Sequence, residues 1–242
     1  MQRSRSPKLF NDQEKLFLSL ADGMNNTMLQ LALLSERAVG SSGHDQTNEW
    51  RTVHDISRAA LQLLESYTLT MRLQGGSAEP ELEPIAVSSL MYDTAQLLEP
   101  YAKQLQVSVT IDMPSRLEPV ISDRAILQAA LLSLGHVFIA AQSEGDEPSG
   151  VIRLGAHKGR YGVVAGWYAK GNQLSARALG RARRLGGRVQ QPYGELVGGS
   201  ATGVFIADSL LTSLETKLHV ARYHNATGLA ATLPACRQLQ LV

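Results

Sequence analysis

At 242 residues, 44% hydrophobic and 19% charged, the chain has the composition of a folded protein with enough material for one large or two small cores, and not that of a disordered one. Its formal net charge of +1 excludes a global field that would gather nucleic acid or an anionic membrane, and its single Cys236 excludes an internal disulfide framework. No run approaches the roughly 18 apolar residues of a membrane span, and the basic residues between Met1 and Lys8 have no apolar signal core behind them, so a cytoplasmic location is expected.

After a flexible start over residues 1–12, Phe17, Leu20, Met24, Met28, Leu31 and Leu34 recur at three- and four-residue steps, which predicts a helix of about seven turns from Gln13 to Val39. Gly40-Ser41-Ser42-Gly43 stops it. A second stripe of Trp50, Val53, Ser57, Ala60, Leu64, Tyr67 and Met71 follows the capping candidates Thr47 and Asn48. The short connection makes the two helices antiparallel neighbours, and their broad apolar faces, widened by Leu18, Leu33, Leu61 and Leu63, exceed what one hairpin can cover. A second copy completing a four-helix bundle is the expected arrangement; packing on the chain's own C-terminal half is the alternative.

Gly75-Gly76-Ser77-Ala78-Glu79-Pro80, with Pro84 beyond, reads as a linker over residues 75–86 between a helical region at 13–74 and a second domain at 87–242. Ser88 or Ser89 caps a helix carrying Met91, Thr94, Leu98, Tyr101 and Leu105, in which Pro100 predicts a kink or an early end. Val107, Val109 and Ile111 alternate as a half-buried strand. Ser122 or Asp123 caps an apolar helix from Ile126 to Ala141, and the stretch from Gly145 to Gly150 is a turn. Val151 to Ala156 and Tyr161 to Trp167 form a hairpin around Lys158-Gly159. Two more helices are predicted over Leu174–Leu185 and Gly203–Leu214, and two last strands, Lys217–Ala221 and Leu229–Leu233, lie around a turn at Asn225–Gly228. This order predicts an α+β arrangement, one mixed sheet covered by helices on one face. The small-residue loop from Gly198 to Gly203 before an apolar helix has the form of a phosphate-binding turn, though an ordinary turn has the same composition.

The order of these segments resembles the core of sensor histidine kinases, in which a dimeric helical hairpin carrying a phosphoacceptor histidine precedes a GHKL-type ATP-binding domain. The segments that carry the resemblance are Leu90 to Pro114, ending in Asp112-Met113-Pro114; Ser122-Asp123 to Leu134; and Gly198 to Pro234. The resemblance implies a hairpin that forms a four-helix bundle in a dimer, followed by an α/β sandwich with a mixed sheet. It also exposes departures. Against the family pattern F-x-x-x-x-S-H-E-L-R-T-P-L, the stretch Phe17 to Leu29 places Gly23 at the histidine and Met24 at the acid, so no imidazole is there to attack a γ-phosphate. Against N-L-x-x-N-A it reads Ser133-Leu134-Gly135-His136-Val137-Phe138, with Val137 at the metal-side asparagine; magnesium demands oxygen. Where D-x-G-x-G is expected stands Ala165-Gly166-Trp167-Tyr168-Ala169-Lys170-Gly171, without a carboxylate, and with Trp167 and Tyr168 as candidates to fill the purine slot. The last box keeps Gly199 and Gly203 but has Ala201 and Thr202 between them.

A pseudokinase acting by binding is therefore the expected function, with no cofactor and with Ser133, Val137, Trp167, Gly199, Ala201 and Gly203 as a vestigial nucleotide pocket. In the family the lower bundle docks a response-regulator receiver domain. The matching surface here is Asp22, Asn25, Asn26 and Gln30 on the first helix with Tyr67 and Arg72 on the second. An active kinase is the other expected partner. Two alternatives stand beside this reading: a phosphotransferase using His54, whose neighbour Asp55 can fix its tautomer, and a nucleic-acid contact through Arg177, Arg181, Arg183, Arg184 and Arg188. His136, His157, His219 and His224 show no metal-ligand spacing, and no metal is expected.

Overall fold

The computed structural model describes residues 44–143, 150–170 and 200–236, together with 31, 33, 35, 179, 180 and 183. The first helix expected over Gln13–Val39 and the turn expected over Gly145–Gly150 lie outside the described residues, apart from Leu31, Leu33 and Ser35, which are helical, and the buried Gly150. The described elements are α1 (His44–Gln74), β1 (Glu83–Ile85), α2 (Val87–Gln104), β2 (Ser108–Asp112), β3 (Val120–Ser122), α3 (Arg124–Ser143), β4 (Val151–Gly159), β5 (Gly162–Ala169), α4 (Ser200–Ser213), β6 (His219–Tyr223) and β7 (Ala226–Leu233). Leu179, Gly180 and Arg183, inside the helix expected over Leu174–Leu185, are helical.

Five strands form a mixed sheet in the order β2-β4-β5-β7-β6. Only β2 and β4 run parallel, since the chain between them crosses over through α3, while the hairpins β4-β5 and β6-β7 give antiparallel neighbours. Period-two alternation sends Ile152, Leu154 and Ala156 of β4, Val163, Ala165 and Trp167 of β5, and Leu229, Ala231 and Leu233 of β7 into one buried cluster with α2, α3 and α4. The helix α3 is apolar nearly all round because it is enclosed. It is the one helix among the described residues long and apolar enough to cross a membrane, and it is mostly buried inside the protein. The α1 helix packs on the outside of this layer, against α2, α3 and α4, through Ala59, Ser66, Tyr67 and Thr70.

The cap expected at the start of α3 is Asp123, whose Oδ1 accepts the Ile126 N–H at 3.0 Å. Its Oδ2 accepts the Glu81 N–H at 2.9 Å, and β1 pairs antiparallel with β3, so the stretch expected as a linker is fastened at its far end to the start of α3. Several boundaries differ from expectation. Thr47 and Asn48, expected as caps, are helical within α1. The α2 helix begins at Val87 rather than after Ser88 or Ser89, because Val87, Leu90 and Met91 are all buried and fix the first turn without a side-chain cap. It also continues through Pro100 to Gln104; the carbonyl that Pro100 leaves unpaired belongs to the exposed Gln96, where water can satisfy it. The β4-β5 turn is Arg160-Tyr161 and the β6-β7 turn is His224-Asn225, each the two-residue connection that a right-handed twist favours.

Candidate functional site

Ser133 and Val137 lie one turn apart on the face of α3 that meets α4, both buried. Opposite them is Gly203. A methyl placed on Gly203 would stand 2.4 Å from Val137 Cγ2 and 3.0 Å from the Ser133 carbonyl oxygen, so its hydrogen is what lets the two helices touch. This revises the reading of the glycine box: Ser200, Ala201, Thr202 and Gly203 are helical and do not form a loop. Gly199 lies outside the described residues. The close approach that Gly203 permits is to α3, and the Ser133 hydroxyl donates back to the Ala129 carbonyl at 2.8 Å.

These residues do not fit a magnesium nucleotide. Val137 offers no oxygen, the Ser133 hydroxyl is engaged with its own helix, and the contact of α4 with α3 fills the space between them. Returning the amide with Val137→Asn is expected to lower stability by about 2 kcal/mol, because the side chain would enter an apolar contact without partners. Urea unfolding of the two proteins measures this, and a variant as stable as the parent would show an open, wet site.

On the adenine side β5 runs unbroken to Ala169, followed by the exposed Lys170, so no carboxylate ends the strand. Trp167 and Tyr168 point to opposite faces of the sheet and do not share a slot. The Trp167 indole is fully buried under α3, donating Nε1–H to the Leu131 carbonyl at 2.8 Å, with its six-membered ring against Gly135. Tyr168 lies on the other face with Ala226 and Ala230. There Tyr223 crosses the sheet, stacking on His157 at 4.9 Å and donating its hydroxyl to Asp112 Oδ1 at 3.3 Å. Burial, and then the charge of His224, hold His157 below the usual imidazole range.

The surface expected to meet a partner is divided. Asp22, Asn25, Asn26 and Gln30 lie outside the described residues. Arg72 is exposed in the last turn of α1, but Tyr67 is only 6% exposed and belongs to the main core, so it is not presented to a partner in this arrangement. His54 is open, with 69% of its side chain exposed and Nδ1 3.3 Å from Asp55 Oδ1. Arg183 is a structural residue: its guanidinium forks onto both carboxylate oxygens of Asp208 at 3.0 and 3.2 Å and donates to the Leu218 carbonyl at 2.6 Å. Arg177, Arg181, Arg184 and Arg188 lie outside the described residues.

A junction that sequence reasoning weighed only for metal binding is His136. It is buried where α1, α2 and α3 meet, its Nε2 3.3 Å from Gln62 Oε1 and its ring edge-on to Tyr101 at 5.0 Å. Burial lowers its pKa to about 4. The available signal was its position inside the apolar run of α3, where any polar side chain must be enclosed.

With the geometry described, comparison with solved structures identifies the class of fold. Histidine kinase AdeS of Acinetobacter baumannii superposes with a TM-score of 0.53 at 9% identity, over 88% of this chain and 97% of its own. Full-length ShkA in complex with AMPPNP gives 0.53 at 17%, over 92% of this chain and 46% of its own. Histidine kinase ThkA in complex with response regulator protein TrrA gives 0.51 at 13%, over 97% and 68%. No protein-family model matches the sequence, and no curated protein matches it. The chain shares the fold of these histidine kinases, with α2, α3 and α4 layered on the mixed sheet.

Proposed function

We propose that this protein is a catalytically inactive, histidine-kinase-like signalling protein of the cytoplasm. It dimerises and binds a two-component partner, the receiver domain of a response regulator or an active kinase, as an adaptor or sequestering factor. The observation that carries the reading is the contact of Val137 with Gly203: apolar helix packing stands where the resemblance calls for a metal-side amide and a phosphate loop. An apolar skeleton kept without the polar atoms of phosphoryl transfer retains surfaces, and surfaces bind. Among the structures sharing the fold, ThkA is in complex with a response regulator, which makes a receiver domain the first partner to test. The proposed surface is Asp22, Asn25, Asn26 and Gln30 on the first helix together with the exposed Arg72.

Calorimetric titration with magnesium-ATP is expected to give no saturable heat. Titration with purified receiver domains is expected to give one binding partner, retained in His54→Ala because docking needs no phosphoacceptor. Saturable magnesium-ATP binding overturns the inactive reading, and loss of receiver binding in His54→Ala moves the function to phosphotransfer.

A further inference from the structure

The mixed sheet ends on β6, which among the described strands is paired with β7 alone. A two-residue turn joins the two strands, so the register that sets Tyr223 opposite Ala226 makes Tyr223, Ala221 and His219 the residues that exchange hydrogen bonds with β7. The N–H and C=O groups of Leu218, Val220 and Arg222 therefore point the other way, off the sheet. Arg183 marks that direction, since it donates to the Leu218 carbonyl at 2.6 Å and so closes the edge just before the strand begins. Val220 and Arg222 each keep an N–H and a C=O turned outward, and among the described residues no backbone group meets them. Both side chains are exposed, Val220 to 40%.

The charge along this edge has one sign. From Thr216 to the end of the chain the sequence holds no Asp or Glu, while Lys217 and Arg222 are exposed and His219 and His224 lie beside them. Among the described residues neither Lys217 nor Arg222 makes an ion pair. Nearby carboxylates are engaged elsewhere: Asp208 holds Arg183, and Asp112 accepts the Tyr223 hydroxyl with Arg153 and His224 close by. Glu215 precedes the strand, in the turn after α4.

We infer that β6 is a docking edge for an acidic, extended segment of another protein, which joins the sheet as a further strand. Backbone groups supply the bonds, and the sign of the charge supplies the choice of partner. Val220 and Arg222 share one face of the strand, so an apolar residue and a carboxylate two positions apart on the incoming segment meet them both. A second copy of β6 brings like charges together and is kept off. The alternating donors and acceptors of the edge match a peptide backbone, whereas a polyphosphate offers acceptors alone. This inference goes beyond the role proposed above and does not depend on it.

Amide exchange of the full chain, read by nuclear magnetic resonance at low salt, tests this with the end-blocked peptide Glu-Thr-Val-Glu-Thr-Glu, which in antiparallel register sets its carboxylates opposite Arg222, His219 and Lys217. The reverse-charge peptide Lys-Thr-Val-Lys-Thr-Lys is the control. Without peptide the Val220 and Arg222 amides are expected to exchange fast and those of Ala221 and Tyr223 slowly. The acidic peptide is expected to slow Val220 and Arg222, and the basic peptide to leave them fast. Arg222→Glu, at an exposed site, is expected to weaken the acidic peptide about tenfold. Val220→Pro is expected to abolish its binding, because the ring takes the place of an outward N–H and blocks a further strand while the bonds to β7 remain; unchanged circular dichroism checks the fold of both variants. Slow Val220 and Arg222 amides in the free chain, acidic peptide that binds and leaves them fast, equal binding of the two peptides, or no binding of the acidic one overturns the docking edge. None of these results bears on magnesium-ATP or receiver-domain binding, so the role proposed above stands or falls by its own titrations.

Discussion

Trp167→Ala is expected to lower the free energy of unfolding by about 4 kcal/mol, the largest effect of any single side-chain truncation considered for this protein. Three losses combine. The fully buried indole gives up its transfer free energy, leaves a cavity between β5 and α3, and loses its N–H bond to the Leu131 carbonyl. The cavity persists because both walls are rigid: the sheet holds one side by pairing on both edges of β5, and α3 holds the other at Gly135. Trp167→Phe keeps most of the volume and forfeits the hydrogen bond, so a loss of about 1 to 2 kcal/mol is expected for it. Urea unfolding followed by far-ultraviolet circular dichroism measures both. The result also decides between two roles for the residue. An indole filling an open purine slot costs less than about 1 kcal/mol to remove, because solvent takes its place; a core indole costs several times that.

That contrast shows how far the sequence could be read. A period-two run located β2 because a half-buried strand writes its orientation into alternating residues, and Ser122-Asp123 located the start of α3 because a carboxylate before an apolar run has a specific partner in the helix's free N–H groups. The three-residue strands β1 and β3 are too short to carry a period, and their pairing joins positions about forty residues apart, which no local pattern encodes. Gly203 was legible as a glycine that something approaches closely, but not as one approached by a helix, since a hydrogen in place of a side chain is silent about its neighbour. Tyr67 fell on an apolar stripe, and stripes do not say which side faces the body of the protein. The replacement at Val137 was readable from the sequence; that α4 packs against Val137 was not, because helix contact is a property of the fold.

The same distinction bears on function. A phosphoryl-transfer site is built from polar atoms held at a cleft, while a docking protein needs a shape and two helix faces. In this chain the polar atoms near α3 are turned inward, Ser133 to Ala129 and Trp167 to Leu131. On the binding role proposed above, partner recognition is expected to be indifferent to changes on the α3–α4 contact that leave the fold intact.

Stability is expected to fall as the pH drops from about 6.5 towards 4, through His136. In the folded protein burial lowers the pKa of this imidazole to about 4 from its usual 6.5, so between those values the unfolded chain binds a proton that the folded chain refuses. More protons on the unfolded state means that stability rises with pH across this window; it is complete above about 6.5 and its loss levels off below about 4. At 1.36 kcal/mol per unit, a depression from 6.5 to about 4 amounts to about 3 kcal/mol. His157, also held low by burial, acts in the same direction, and carboxylates add their own response in acid. The contribution of His136 is thus read as the difference between wild type and His136→Gln, which keeps an amide opposite Gln62 and cannot titrate: wild type loses ground relative to the variant from pH 6.5 down to 4, and the difference is flat on either side. Since Gln62 belongs to α1, acid is also expected to loosen that helix first, so amide exchange in α1 should quicken before exchange in α3. A difference curve flat through the window, or one in which wild type gains on the variant as acid is added, would show that the ring meets water and that α1 is held to the body by other contacts.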